Sequence, residues 1–317
     1  MKSEAPFFSV VTPSFNQARW IEGCIKSVQS QGTTDYEHII SDNCSKDGTA
    51  DIVARYPEVQ WHSEADRGQS HALNKAISRA RGEILCWLNS DDQYLPGTFE
   101  RVRHEFSKPG VGVIYGDARE AYFDGRPDAI RPARFERRED LLFWWEKRTD
   151  LLQPAVFFRR SLLEDIGPLR EDLHLIMDTE LWWRLSERHT FHYVPHPLAL
   201  QQRQLDSKTI SQTSRIYEEK ARVFGPLLAA AYPGRRLKHW MARHRIMGRR
   251  YLGLAQSAGK TNFAAASGLL RRCAQENPFL LFTPQWWKAL AFSCSHKGRV
   301  HAESSERQPV AGNAQSH

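Results

Sequence analysis

Several features that would fix the class of this protein at once are missing from its 317 residues. No run approaches the roughly 18–20 uncharged apolar residues of a membrane-spanning helix, and the opening Met-Lys-Ser-Glu-Ala-Pro lacks the apolar segment of a signal peptide. The five cysteines are scattered, without the paired spacing of a zinc site. These absences argue against a secreted or membrane-spanning class and predict a cytoplasmic protein with reduced thiols.

Glycine-rich phosphate-binding loops are missing as well. A dinucleotide-binding fold needs such a turn after its first strand, but this chain has Thr12-Pro13-Ser14-Phe15-Asn16 at that point. It also has no glycine-rich lysine loop of the kind that nucleoside triphosphatases use. The sequence therefore disfavours NAD-dependent and ATP-hydrolysing classes.

Alternating periodicities over the first ninety residues predict an α/β fold. Short β-rich runs alternate with stretches whose apolar residues recur every three or four positions. Such strand–helix–strand units favour a Rossmann-like parallel sheet covered by helices on both faces. The predicted strands are 7–12, 36–41, 59–61, 83–88, 112–115 and 153–158, and the predicted helices are 20–28, 49–56, 71–81, 99–106, 161–166 and 178–188.

Acidic residues follow the predicted strands, where such a sheet binds its ligand. Asp91 and Asp92 come directly after strand 83–88, and two like charges at a partly enclosed strand end are costly without a cation. Their hard oxygen atoms favour Mg²⁺ or Mn²⁺. A plain turn explains the same residues equally well. Asp42, after the second strand, either accepts hydrogen bonds from a base or ribose or only caps a turn.

Two further polar segments lie in positions that suit a ligand. After the third strand, Arg67 and Lys75 could meet phosphate charge and Gly68 would allow close backbone approach, unless the segment is only a capped helix. Asp178 begins a predicted helix among large aromatic residues. The helix N-terminus favours its ionised form and apolar neighbours favour its neutral form, a balance that suits a general base. An ordinary helix cap is the alternative.

In their order and spacing, these segments resemble the family 2 glycosyltransferases of GT-A fold over residues 7–210. The resemblance is carried by five stretches, which are Ser9–Asn16, Ser41–Thr49, Asp66–Lys75, Trp87–Asp92 and Met177–Trp182. It implies the GT-A fold, a sugar nucleotide donor, a bound Mn²⁺ or Mg²⁺ ion, and inversion at the anomeric carbon.

The resemblance also implies roles for individual residues. Those implied to bind the donor are Thr12 and Pro13 in the nucleotide pocket, Asp42 at the base, Asp66 and Arg67 near the nucleoside or its phosphates, and Arg203 and Lys208 at the diphosphate. Asp91 is implied to bind the metal, Asp92 to support the ribose or the metal, and Asp178 to act as the catalytic base.

Three positions depart from the family's pattern. Asn89 stands where the metal-binding DxD motif has its first aspartate, which leaves Asp91 as the expected metal contact. Met177 stands where a glutamate usually precedes the catalytic base. No histidine follows Arg203, although many relatives have one there.

A change of charge predicts the domain organisation. Residues 215–300 contain 16 Lys and Arg against 3 acidic residues, whereas residues 1–214 contain 27 against 32. An acidic first part and a basic second part rarely serve one purpose. We therefore expect a catalytic domain over 1–210, a basic and mainly helical region over 211–302, and a disordered polar tail over 303–317.

The basic region has two equally supported interpretations. Basic residues at helical spacing precede an aromatic segment within 235–292, a combination that suits peripheral attachment to the anionic inner face of the cytoplasmic membrane. The same periodicity also suits helices packed on the catalytic domain. Charge alone would permit nucleic-acid binding, but no recognised module accompanies it, and we expect none.

The favoured function is an inverting, metal-dependent glycosyltransferase. It would move a sugar from a nucleotide-sugar donor, a UDP-sugar by preference, to a hydroxyl of a saccharide or lipid-linked acceptor in surface polysaccharide or glycolipid assembly. One alternative is a sugar nucleotidyltransferase, which should carry a glycine-rich basic loop where this chain has Phe15-Asn16-Gln17. The other is a non-catalytic sugar-nucleotide-binding scaffold, against which the presence of both Asp91 and Asp178 argues.

Overall fold

The computed structural model divides the chain into two compact units, Met1–Phe224 and Gly225–His317. The structure describes residues 5–122, 126–143, 149, 151–203, 213–235, 241, 248, 251–252, 255 and 263–291. The predicted boundary at residue 210 and the predicted tail over 303–317 lie outside these residues. Both stay predictions.

Nine strands of the described residues form one sheet in the first unit. They are β1 (Phe8–Ser14), β2 (Tyr36–Asp42), β3 (Val59–Ser63), β4 (Ile84–Trp87), β5 (Gln93–Tyr94), β6 (Val113–Tyr122), β7 (Ala129–Arg131), β8 (Val156–Arg159) and β9 (Phe191–Arg203). The strand order is β3-β2-β1-β4-β8-β6-β9-β5, with β7 paired to β6.

The direction of the strands changes across the sheet. The first four are parallel, as predicted. Beyond β4, where no strand direction was predicted, the sheet is mixed, because β8 runs antiparallel to both of its neighbours, β4 and β6. Strand β5 is antiparallel to β9, and β7 is antiparallel to β6. The period of two along a strand does not depend on which way its neighbour runs, so the sequence pattern carried no signal for this reversal.

Helices connect and cover the strands of the first unit. They are α1 (Ile21–Gln29), α2 (Thr49–Val53), α3 (Gln69–Arg79), α4 (Thr98–Phe106), α5 (Leu162–Ile166) and α6 (Met177–Leu185), followed by α7 (Thr213–Ala231), which continues into the second unit. Helix α1 buries the predicted face of Ile21, Cys24, Ile25 and Val28. Burying an aliphatic side chain of this size contributes about 1.5–3 kcal/mol, so this face fixes α1 against the sheet.

The second unit contains helix α8 (Phe263–Glu276), the 3₁₀ turns Pro233–Arg235 and Pro278–Phe282, and a helix over 284–291. Most of the basic residues on which the two interpretations of this region depend lie outside the described residues. None of the described helices has both the length and the hydropathy to cross a membrane.

Strand β9 is the largest element that the sequence pattern did not predict. Pro195 and Pro197 interrupt its alternation, and the register against β6 shifts on both sides of Asp117. A bulge of this kind admits residues that a regular ladder excludes. Gly116 is required beside it, because a Cβ atom there would lie 2.6 Å from Cδ1 of Leu198. This strand carries Arg203 to the carboxyl edge of the parallel strands.

Candidate active site

A cavity of about 650 Å³ opens at the carboxyl ends of the parallel strands. Its walls come from the loops after β1 to β4, the start of α6 and the end of β9. The predicted site residues among its lining are Pro13, Asp66, Asp91, Asp92, Asp178 and Arg203. Residues far apart in the chain therefore share one cavity.

The loops after β1 and β2 are held together by hydrogen bonds. The backbone N–H of Asn16 donates to Oγ of Ser45 at 2.7 Å, and the N–H of Lys46 donates to Oδ1 of Asn16 at 3.1 Å. The N–H of Ala18 donates to Oδ2 of Asp47 at 2.9 Å. These bonds give the cavity a defined wall, because each loop fixes the backbone of the other.

Asp91 and Asp92 lie on one side of the cavity. Asp92 is 3% exposed, and its carboxylate accepts hydrogen bonds from the backbone N–H of Gln202 at 3.2 Å and from Nδ2 of Asn89 at 3.3 Å. Burial and then the charge of Asp91 raise the pKa of Asp92 well above its usual range. A cation between the two carboxylates would relieve this repulsion.

Asn89 is held by four hydrogen bonds rather than directed at a ligand. Its Oδ1 accepts from Nε1 of Trp87 at 3.0 Å and from Nε2 of Gln69 at 2.9 Å. Its Nδ2 donates to Oε1 of Gln153 at 2.8 Å, in addition to Asp92. An indole N–H can only donate, so Trp87 fixes which end of the amide faces which partner.

Asp178 lies in the first turn of α6 and lines the same cavity. Burial raises the pKa of its carboxyl, while the backbone N–H of Thr179, at 2.6 Å, and the charge of Lys220 act in the opposite direction. A carboxylate with a raised pKa is a better proton acceptor than an exposed aspartate. The residue before it, Met177, is 4% exposed and packs in the core, where a glutamate would be costly.

Arg203 reaches the cavity from the end of β9 and is bonded to a buried acid. Its Nε and Nη2 donate to Oε1 of Glu120 at 2.7 and 2.5 Å. Burial alone would raise the pKa of Glu120, but hydrogen bonds from Tyr122, Arg131 and Arg203 lower it to about 2. The acid is therefore ionised over the whole physiological range.

Three predicted donor-binding residues are not among the cavity lining. Thr12 is fully buried and bonds His38 Nε2 at 2.9 Å, so Pro13 and Ser14 form the wall above it. Asp42 is also fully buried, and its carboxylate accepts hydrogen bonds from the backbone N–H of Ser45 and from Oγ of Ser63.

Arg67 is 69% exposed in its side chain and forms an ion pair with Glu171. Lys75 donates to the carbonyl oxygen of Ala65 at 2.8 Å and is no phosphate contact here. Lys208 lies outside the described residues.

The polar residues of α3 hold the loop before α6. Oγ of Ser70 donates to the carbonyl oxygen of Leu173 at 2.8 Å, and Nδ2 of Asn74 donates to that of Leu169 at 2.9 Å. Gly68 has φ +124°, and a Cβ atom there would lie 3.3 Å from Nδ1 of His174. This segment, which the sequence suggested for phosphate, thus positions the wall that contains His174.

A second cavity, of about 350 Å³, adjoins the first. His174 and Leu175 line both cavities, and their backbone N–H groups donate to the carboxylate of Glu219 at 3.0–3.3 Å. The other lining residues are Arg215, Glu218, Glu219 and Arg222. This arrangement gives the Asp178 side of the main cavity a polar extension.

Several lining residues carried no signal in the sequence. Gln153, Gln201, Gln202 and His174 are single polar residues in or near elements whose edges only the structure defines. Glu120, which holds Arg203, lies beyond the predicted strand 112–115, because β6 extends to Tyr122. A longer prediction for β6 would have placed Glu120 on the sheet.

The metal expectation has partial support from the side chains. Among the described residues, no group of three or more His, Cys, Asp or Glu side chains is arranged to hold a metal ion. The adjacent carboxylates of Asp91 and Asp92 fit a Mg²⁺ or Mn²⁺ ion that takes its remaining oxygen ligands from phosphate and water. Burial and the charge of Asp91 raise the pKa of Asp92, while hydrogen bonds from Gln202 and Asn89 and the charge of Arg203 oppose this shift.

Residues 9–167 match the family described as Glycosyl transferase family 2. The chain belongs to this family. It is therefore a glycosyltransferase, as predicted, and the family assignment disfavours the two alternatives, a nucleotidyltransferase and a non-catalytic scaffold. The PGL/p-HBAD biosynthesis glycosyltransferase of Mycobacterium bovis is 30% identical over 190 residues, which are 55% of this chain and 67% of that protein. In three other relatives, the match spans 69%, 62% and 42% of the relative's length.

Solved structures confirm the predicted GT-A fold. Residues 1–349 of S. aureus TarS, in complex with UDP-GlcNAc, superpose with a TM-score of 0.55 at 16% identity, covering 95% of this chain and 92% of that one. The mannosyltransferase PcManGT from Pyrobaculum calidifontis, in complex with GDP-Man and Mn²⁺, has a TM-score of 0.50 at 18% identity, covering 92% and 87%. At these identities the likeness concerns the fold alone.

Proposed function

We propose that this glycosyltransferase inverts the anomeric carbon of a nucleotide-sugar donor, with Asp178 as the base. The observation that carries the proposal is that Asp91, Asp92 and Asp178 line one cavity at the carboxyl edge of the sheet. Open α/β sheets bind their ligands at this edge. The charge of Arg203 acts on Asp92, so a diphosphate bound beside the acidic pair would be neutralised there, and Asp178 lines the same cavity.

The donor would occupy the side of the cavity formed by the loops after β1 to β4. Pro13 and Asp66 are on this wall, and the N–H of Asp66 is itself fixed by Oδ1 of Asn43 at 2.9 Å. Thr12 and Asp42 would not contact the donor directly. They would support the site by fixing the ends of the strands that lie below the cavity. A UDP-sugar is the favoured donor, with support from the UDP-GlcNAc complex of TarS, and GDP-sugars are the competing class because PcManGT binds GDP-Man.

Mg²⁺ or Mn²⁺ would be held by Asp91 and Asp92. A divalent ion supplies positive charge that stabilises the departing diphosphate. Arg203 would add a guanidinium to the same group, since it lines the cavity and its charge acts on Asp92. Asn89 is excluded from direct contact with the ion by its four hydrogen bonds to protein groups.

Asp178 would accept the proton of the acceptor hydroxyl as that oxygen attacks the sugar. The raised pKa of its carboxyl suits this role, and the N–H of Thr179 orients one carboxylate oxygen, Oδ1. Attack from the side opposite the departing diphosphate inverts the configuration. The second cavity offers the acceptor a polar route to Asp178, because His174 and Leu175 line both spaces.

Substitution of the base tests the proposal. Asp178→Asn should leave UDP affinity nearly intact and lower turnover by ~10²-fold or more, the usual loss of general-base catalysis. Asp165→Asn, at an exposed position in α5, is the matched control and should retain full turnover. Near-normal turnover of Asp178→Asn would overturn the assignment, and retention of anomeric configuration in the product, measured by NMR, would overturn inversion.

The second unit is proposed to attach to an anionic membrane surface, where a lipid-linked acceptor of surface polysaccharide or glycolipid assembly would be found. Phe282 is 84% exposed and Trp287 58% exposed, and the ring of Trp287 lies 5.0 Å from that of Trp286. Exposed aromatic residues within a strongly basic region suit the interface of anionic lipids. The relative's role in PGL/p-HBAD biosynthesis is consistent with an assembly function.

Vesicle flotation tests this attachment. Binding to phosphatidylglycerol vesicles should exceed binding to phosphatidylcholine vesicles, weaken with salt, and fall in the Phe282→Ala/Trp287→Ala variant. Ile130→Ala removes an apolar residue that is 52% exposed in the other unit and should float like the wild type. If the wild type does not float, the proposal of membrane attachment is wrong.

A further inference from the structure

Glu120 connects two arginines, of which Arg203 lines the cavity. It lies in β6, is 7% exposed, and its Oε1 accepts from Arg203 and from Nη1 of Arg131 at 2.7 Å. Its Oε2 accepts from the hydroxyl of Tyr122 at 2.5 Å. Both carboxylate oxygens are therefore engaged by donors from β6, β7 and β9.

The two arginines differ in where they lie. Arg203 lines the main cavity, and its side chain is 18% exposed. Arg131 is not among the lining residues and lies on β7, with a side chain that is 33% exposed. A largely buried guanidinium needs a fixed counter-charge, and Glu120 supplies it to Arg203.

The guanidinium of Arg203 has a second carboxylate within electrostatic reach. Its charge acts on Asp92, which lies on the same cavity. If Arg203 swung to the acidic pair, it would neutralise the carboxylates that would hold the cation. In the structure, Nε and Nη2 of Arg203 both donate to Glu120, and these two bonds hold the guanidinium at that carboxylate.

Strand pairing makes the arrangement rigid. Glu120 pairs with Gln201 and Tyr122 pairs with Arg203 across β6 and β9, so Glu120 and Arg203 are diagonal neighbours. On β7, Arg131 lies two residues beyond the residue that pairs with Glu120. This register brings the side chain of Arg131 within reach of the Glu120 carboxylate.

We propose that Glu120 is a positioning residue that fixes the guanidinium of Arg203 against the donor's diphosphate and away from Asp92. The inference rests on the proposed contact of Arg203 with that diphosphate. Glu120 itself touches no substrate. Its removal should therefore affect ligands that carry the diphosphate and spare those that lack it.

Calorimetry with UDP and with uridine tests the proposal. Glu120→Gln keeps the size of the side chain and should weaken UDP binding about tenfold, the scale of a displaced charge-assisted contact, with uridine binding unchanged. Arg203→Ala should lose UDP affinity to the same degree, and the double variant should lose no more than the single ones. Glu120→Asp, which keeps the charge but shortens the reach, serves if Glu120→Gln does not fold, and it should also weaken UDP binding.

A matched control separates positioning from stability. Asp128 forms an ion pair with Arg119, which lies on β6 next to Glu120. Asp128→Asn removes a carboxylate–arginine pair outside the cavity lining and should bind UDP like the wild type. Equal losses for UDP and uridine in the Glu120 variants, or additive losses in the double variant, would overturn the proposal. If Arg203→Ala weakens UDP binding and the Glu120 variants do not, the positioning role is wrong and the diphosphate contact stands. If Arg203→Ala binds UDP normally, the diphosphate contact of Arg203 and the positioning role of Glu120 are both wrong. The role proposed for Asp178 is unaffected by that result.

Discussion

Nδ2 of Asn89 donates a hydrogen bond to Oε1 of Gln153 at 2.8 Å, across 64 residues of chain. Gln153 cannot reverse its amide without loss, because its Nε2 donates to the carbonyl oxygen of Trp87 at 2.6 Å. Position 89 therefore needs a donor toward Gln153 and an acceptor toward Trp87. An asparagine meets both requirements and an ionised aspartate does not, which gives a structural reason for the departure from the DxD pattern.

Restoring the aspartate should harm the enzyme. In Asn89→Asp, a carboxylate oxygen would face Oε1 of Gln153 and Oδ2 of Asp92, so we expect a loss of about 1–3 kcal/mol in the free energy of unfolding, as for an unsatisfied buried polar group. Urea unfolding measures the loss, and Asn89→Ala provides the comparison without added charge. A stable variant that binds Mn²⁺ more tightly than the wild type would show that position 89 is a metal-ligand position after all.

Removal of Asp91 should abolish the cation dependence of donor binding. Asp91→Ala leaves only Asp92 of the pair, whose carboxylate is 3% exposed and already accepts hydrogen bonds from Gln202 and Asn89. Calorimetry of UDP with and without Mn²⁺ should then give equal affinities. Asp51→Ala, at an exposed position in α2, should keep the wild-type response to the metal. Unchanged metal dependence in Asp91→Ala would count against this site.

The rate of transfer should fall in acid at a higher pH than an ordinary aspartate would give. Asp178 works as a base only when ionised, and burial raises its pKa above 3.8. Oγ of Thr179 donates to Oδ1 of Asp178 at 3.3 Å and stabilises the ionised form. Thr179→Ala removes that donor, so the acid limb of kcat/KM should move to still higher pH. A shift to lower pH would contradict the assignment.

Two glycines with positive φ should respond differently to alanine. Gly68→Ala and Gly97→Ala both force a Cβ onto a backbone of φ +124° and +78°, which costs about 1–3 kcal/mol in each case. Only Gly68→Ala also displaces His174, since nothing lies within 4 Å of a Cβ at Gly97. Both variants should melt at lower temperature, and only Gly68→Ala should lose transfer activity out of proportion to its stability. Equal transfer activities of the two variants would exclude a role in catalysis for the cavity wall that contains His174.

The sequence predicted those helices and strands whose pattern of apolar and polar residues is complete within a few neighbouring positions. The face of α1 that packs on the sheet and the acidic residues after β4 follow from side-chain periodicity and burial, which depend only on neighbours in the chain. Strand β9 was missed because two prolines break its alternation, and the bulge that accommodates them depends on Gly116 of another strand.

The candidate site was only partly predictable for the same reason. A carboxylate after a strand end or at the start of a helix is visible in the sequence, so Asp91, Asp92 and Asp178 were predicted as site residues. Whether such a carboxylate faces the cavity depends on the hydrogen bonds around it. For Asp42, the bond from nearby Ser45 is the local turn contact that the sequence allowed, but the bond from Ser63 comes from 21 residues away.

The sequence by itself determined the family, the parallel half of the sheet and the residue types available for catalysis, because periodicity, strand ends and ordered motifs are properties of the chain alone. Only the tertiary structure decided the antiparallel insertion of β8, the amide orientation of Asn89 and the pairing of Arg203 with Glu120. Each of these depends on groups brought together from separate strands, where distance and desolvation set the energy of a contact and separation along the chain does not.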